Sequence, residues 1–212
     1  MSHDCCHDHL HSGGPSLAKR KRIIIAALVI NAAMFAVEMA AGLGSGSMSL
    51  QADAIDFLGD AANYATGLVV LGLAPIWGTR LALVKAAAMG GFGLWVIAGT
   101  ITGALAGAPP EAAVMGAVGV LALIANLACA ALLFQFRSGD SNVRSMWLCT
   151  RNDVIGNVAV LIAASGVFAT ASAWPDLVVA FLMAGLAIAA AVRIARQART
   201  ELGTSPPVTA GG

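Results

Sequence analysis

Apolar residues in this chain come in blocks of about 20, the length an α-helix needs to cross a hydrocarbon core of about 30 Å. Six such blocks can be marked, at 23–44, 48–75, 82–107, 111–136, 144–169 and 174–195. The breaks between them carry turn chemistry: Gly42 to Ser47, Pro75 to Thr79, Gly107 to Pro110, Ser138 to Asn142, and Ala173 to Asp176. A membrane β-barrel would instead show strands of about 10 residues with alternating polarity, and nothing here alternates over that length. The pattern predicts an all-α polytopic membrane protein with six transmembrane helices.

Composition strengthens that expectation. Of 212 residues, 58% are hydrophobic and only 11% charged, and the mean hydropathy is +0.82. A soluble domain would carry about twice that charge. The formal net charge of +1 matters less than where the charges fall. Lys19, Arg20, Lys21 and Arg22 precede the first block, Arg80 and Lys85 follow the second, Arg137 and Arg144 follow the fourth, and Arg193, Arg196 and Arg199 close the sixth. All lie on one side of the bundle, with Arg151 alone inside a block, so the excess of basic residues on the cytoplasmic side puts both termini in the cytoplasm. The basic cluster and the first block together look like a secretory signal, but that block is too long, contains Asn31 and Glu38, and is followed by further spans. The expected organisation is a polar tail over 1–22, a membrane domain over 23–196 and a short disordered tail over 197–212, with no soluble C-terminal domain.

The chemistry lies in the polar residues that interrupt these blocks. Asp53, Asp56 and Asp60 sit in the second block, where one carboxylate costs about 2.5–3.5 kcal/mol on insertion scales. At about 3.6 residues per turn, Asp56 and Asp60 share a face and Asp53 falls nearly in line with Asp60. In the fifth block Cys149, Asp153 and Asn157 recur every four residues and line another face. Two antiparallel helices, each offering ligands four residues apart, could surround one divalent ion, and the candidate set is Asp56, Asp60, Cys149 and Asp153. Thiolate with carboxylate suits zinc-like metals in four-coordinate geometry. Asp53 is a candidate entrance carboxylate, helix-end residue or accessory ligand. Asn31 and Glu38 share a face of the first block, and Glu38 is a candidate proton carrier or gate. Asn63 and Asn126 are read as interhelical hydrogen-bonding groups, Cys129 as packing, and Arg151 as a partner for Asp153 or a residue reaching the interface. In the N-terminal tail, His3, Cys5, Cys6, His7, His9 and His11 have a metal-capturing composition but no zinc-finger spacing.

Several classes fall away. There is no phosphate-binding Gly-Lys-Ser/Thr loop, so no ATP machinery is expected. All four histidines lie in the tail, and no nucleophile–base pair stands in a span, so an enzyme is not expected. Neither is a nucleic-acid partner or a bound cofactor. Carboxylates and a thiol lose protons to bind metal, so a site opening alternately to each side would exchange metal for protons. The rivals are a non-transporting membrane metal sensor or assembly subunit and a passive cation channel.

These residues also resemble a family. Asn31, Glu38 and Gly42, the run Gly44-Ser45-Gly46-Ser47-Met48-Ser49-Leu50, Ala52-Asp53-Ala54, and Asp56 through Asp60 are similar to the first two helices of the cation diffusion facilitators. Asn142-Val143-Arg144, Trp147-Leu148, Asp153, Asn157 and Val158 resemble their fifth helix. Together these segments cover about a third of the chain. The resemblance implies export of divalent transition metals (zinc, cobalt or cadmium) from the cytoplasm in exchange for protons, by a homodimer in a bacterial inner membrane. It places the family's transport site on Asp56, Asp60, Cys149 and Asp153, with Cys149 where His is usual and Asn157 where Ser is usual, and it implies a short form without the family's cytoplasmic C-terminal domain.

Overall fold

The computed structural model describes residues 17–70, 75–134 and 141–204, leaving undescribed the side chains of 17, 69–70, 75–78, 141–149, 151–152 and 203–204. Six helices follow one another: α1 (Leu17–Ser45), α2 (Met48–Val70), α3 (Pro75–Ala106), α4 (Ala112–Phe134), α5 (Ser141–Thr170) and α6 (Trp174–Thr204). Each falls on one predicted apolar block. The ends differ in ways local chemistry explains. α3 opens on Pro75, well before the expected start, because a first-turn proline gives up no intrahelical hydrogen bond. α1 starts early enough to carry Lys19 to Arg22 on its first turns, so the stretch 17–22 assigned to the tail is helical.

The largest correction is at the other end. α6 runs on to Thr204, so residues 197–204, expected to be disordered, are helical. Gln197 donates to Glu201 one turn on at 3.0 Å, the Thr79 hydroxyl reaches the same carboxylate at 3.1 Å, and Ala198 is buried. Those contacts continue the helix past its apolar block.

Among the described residues, five helical stretches are long and apolar enough to cross a membrane: Ala18–Ser45, Thr79–Ala106, Ala112–Phe134, Asp153–Thr170 and Trp174–Leu202. α2 has the length, 23 residues or about 34 Å, and its three aspartates are what separate it from the others. The exterior is apolar: Leu105 is 85% exposed, Phe168 83% and Leu186 70%. The interior is where Asn31, Glu38, Asp53, Asp60, Asn126 and Asn157 are buried. Apolar outside and polar inside suits a lipid solvent. The chain is a multi-pass integral membrane protein.

α2 is the hub, contacting α1, α3, α5 and α6, while α3 packs most extensively on α6, α1 on α2 and α4 on α5. Gly42 permits the close α1–α2 crossing, since a Cβ there would stand 2.8 Å from the Gln51 side chain and 3.0 Å from its backbone nitrogen. The turn that follows uses Gly46 at φ 74°, where only glycine is unstrained. The start of α2 is then fastened to α6 by Asp176. That buried carboxylate accepts from the Ser47 hydroxyl (2.7 Å), the Met48 and Ser49 backbone N–H groups (2.8 and 3.0 Å) and the Ser49 hydroxyl (2.5 Å). It caps a helix other than its own, neutralising orphan amides at the positive end of α2.

Candidate metal site

From that cap α2 descends through its acidic stripe. Asp53 is 1% exposed, Asp60 7%, and Asp56 is partly buried between them. α5 runs antiparallel alongside, and the Asp153 carboxyl comes close to that of Asp60. Asp153 also lies within electrostatic reach of Asp56 and Asp53. Gly156, one turn on, lets α5 pass Asp53: a Cβ there would stand 3.7 Å from Asp53 Oδ1. From α1, the Glu38 carboxyl comes close to that of Asp53 and acts electrostatically on Asp56. Three helices thus bring five carboxyl groups into one buried seam.

Among the described residues, neutral groups and the Lys85 cation surround the seam. Tyr64 and Thr150 each place a hydroxyl 3.3 Å from Asp60 Oδ2, and those hydroxyls are 2.7 Å from each other. Lys85 of α3 turns back onto α2, its ammonium donating to Asn63 Oδ1 at 2.5 Å while acting electrostatically on Asp56 and Asp60. The lysine expected near the basic loop therefore contributes its charge inside the bundle. Asn31 donates to the Ala27 carbonyl (2.8 Å) and to Cys129 Sγ (3.4 Å), and Asn157 donates to the Asp153 carbonyl (2.9 Å).

Acceptors outnumber donors. Asp53 Oδ2, Asp153 Oδ2, both Glu38 oxygens and the Oδ1 atoms of Asn31, Asn126 and Asn157 are buried without a hydrogen-bond partner. Each unmatched group costs about 1–3 kcal/mol. A row of unmatched oxygens is what a cation or added protons would relieve. The oxygens are strung along the helix, since seven residues from Asp53 to Asp60 span about 10 Å. Among the described residues, no three His, Cys, Asp or Glu side chains gather tightly enough to hold a metal ion.

Of the predicted ligand set, Asp56, Asp60 and Asp153 lie along the seam, with Asp60 and Asp153 face to face. Cys149 occupies α5 four residues before Asp153, but its side chain lies outside the described residues, as do those of Arg151 and Asn152. The tail residues His3, Cys5, Cys6, His7, His9 and His11 lie outside them too. Sequence reasoning missed three contributors: Tyr64, Thr150 and the inward role of Lys85. Tyr64 had left a signal, standing four residues after Asp60 on the acidic stripe. Thr150 left none, because its value depends on which side of α5 faces α2.

Residues 24–202 match the family described as the cation efflux transmembrane domain. The metal cation efflux system protein CzcD of Cupriavidus metallidurans is 28% identical over 189 residues, covering 84% of this chain and 58% of that protein. The cation efflux system protein CzcD of an Alcaligenes species matches to the same extent. The chain spans 58% of the length of these relatives. A family match over nearly the whole described bundle, together with the acidic seam between α2 and α5, leads to one conclusion: this chain belongs to the cation diffusion facilitator family.

Proposed function

We propose that the protein exports divalent transition-metal cations from the cytoplasm in exchange for protons, from a bacterial inner membrane, with both termini cytoplasmic and two copies forming the working unit. The observation that carries this reading is the meeting of Asp60 and Asp153 from separate helices inside a lipid-facing bundle, next to buried oxygens that lack donors. Asp56, Asp60 and Asp153 would bind the cargo, with Cys149 as the fourth ligand. Two facing carboxylates repel unless a proton or a cation lies between them. Metal arrival therefore displaces protons, and metal release invites them back. Exchange follows from competition for the same oxygens, with no covalent chemistry and so no enzyme reaction.

A carboxylate–thiol set favours zinc, cobalt or cadmium over magnesium and calcium, and the metal cation efflux named for the Cupriavidus relative supports the same class of cargo. The test is metal-driven proton flux in proteoliposomes under an imposed pH gradient. Asp60→Ala and Asp153→Ala are each expected to abolish it. Unchanged flux in both variants would remove these residues from the site.

A further inference from the structure

The metal-for-proton exchange proposed above gives no task to the two hydroxyls on Asp60. Tyr64 stands one turn beyond Asp60 along α2, and Thr150 stands three residues before Asp153 on antiparallel α5. Both are therefore displaced from the carboxyl pair in the same direction, toward the end of the bundle that carries Arg80 and the α1 basic cluster, by about one helical turn or 5 Å. Both are fully buried, Tyr64 at 1% exposure and Thr150 at 0%. The tyrosine ring packs among Ile23, Ile24, Ala27, Cys129 and Leu133, so it fills the space between α1, α2 and α4 at that level. The two hydroxyls meet at 2.7 Å and join α2 to α5 directly.

We propose that Tyr64 and Thr150 form a hydroxyl latch that closes the Asp60–Asp153 carboxyl pair off from the basic end of the bundle, at the level where α5 also carries Cys149, and parts whenever a cation passes that way. The inference rests on the transport reading of the seam. A cation leaving the Asp60–Asp153 level toward the basic end next meets this buried layer. Among the contacts of the described residues, the Tyr64 and Thr150 hydroxyls bond each other and both reach Asp60 Oδ2. The same layer that shuts the passage also holds one carboxylate oxygen of Asp60 in place.

The closing experiment compares wild type, Tyr64→Phe, Thr150→Val and Thr150→Ser in proteoliposomes loaded by zinc chloride under a fixed pH gradient. Half-saturating zinc and maximal rate are read separately, alongside thermal unfolding. Tyr64→Phe keeps the ring and Thr150→Val keeps the branched shape, so each removes only a hydroxyl. Each is expected to raise half-saturating zinc roughly fivefold, the scale of one net hydrogen bond, because bound cation escapes back more readily. Thr150→Ser should restore the wild-type value. A variant carrying both Tyr64→Phe and Thr150→Val should raise half-saturating zinc by less than the product of the two single effects, because the Tyr64–Thr150 bond is shared. Unchanged half-saturation in both single variants, Thr150→Ser behaving as Thr150→Val, or a fall in maximal rate that only tracks lost folded protein would overturn the latch. Wild-type liposomes without zinc flux would instead overturn the transport reading itself.

Discussion

Asp176 and Glu38 are both carboxylates with almost no solvent exposure, 1% and 0%, on helices of the same bundle. Their surroundings are opposite. Asp176 accepts from two hydroxyls and two backbone amides at the start of α2. Glu38 has no donor on either oxygen and faces another acid, Asp53. The difference separates two reasons for burying an acid where it is expensive. A fully matched carboxylate stabilises the fold, acting here as a shared cap that ties α2 to α6. An unmatched one destabilises it, and is retained when a mobile cation or proton completes its shell for part of a working cycle. Asp60 lies between these extremes, with one oxygen held by two hydroxyls and the carboxyl facing Asp153.

The contrast can be broken by trading stability against flux. The largest effect should be the loss of flux in Asp60→Ala and Asp153→Ala, with unfolding in detergent no easier than in wild type. Loss of flux caused by unfolding would erase the distinction. Asp176→Ala should do the reverse. It leaves buried hydroxyls and amides without their acceptor and should cost about 3 kcal/mol, seen as easier chemical unfolding, while correctly folded protein keeps its affinity for zinc. A smaller effect is expected of Glu38→Gln, which removes a charge that no donor matches. Unfolding should become harder while metal-driven flux slows about tenfold, a barrier change of ~1.4 kcal/mol. Flux at the wild-type rate would make Glu38 a passive neighbour. The smallest effect is expected from deleting residues 1–14. A transporter should keep most of its flux without the His/Cys tail, whereas a membrane sensor whose binding element is that tail would lose its metal response.

Much of this was legible in the chain because membrane helices write themselves in long apolar blocks. The six blocks became six helices, and the residues that violate the blocks (Asp53, Asp60, Asp153, Glu38) proved to lie in the buried seam. What stayed hidden depends on rotation and pairing of helices. The four-residue spacings of Asp56 with Asp60 and of Cys149 with Asp153, and the shared face of Asn31 and Glu38, are visible in one dimension, but the meeting of Glu38 with Asp53, of Asn31 with Cys129 and of Lys85 with Asn63 requires knowing which faces touch. Asp176 was read as part of a turn because its partners lie 127 to 129 residues away. Helix ends were misplaced where polar side chains extend a helix beyond its apolar block, as Gln197 and Glu201 do for α6.

The tether at Asp176 has a mechanical consequence. With its first residues pinned to α6, any tilt of α2 would pivot about that end, as a lever tilts about a fulcrum. Over a length of about 34 Å, a swing of roughly 10° would carry the far end about 6 Å while shifting Asp53 by only about 1 Å. Tyr64, near the moving end, would be carried clear of Thr150 by the rotation that leaves the Glu38–Asp53 contact almost undisturbed. One firm anchor at the start of α2 would thus concentrate any helix displacement at the Tyr64 end.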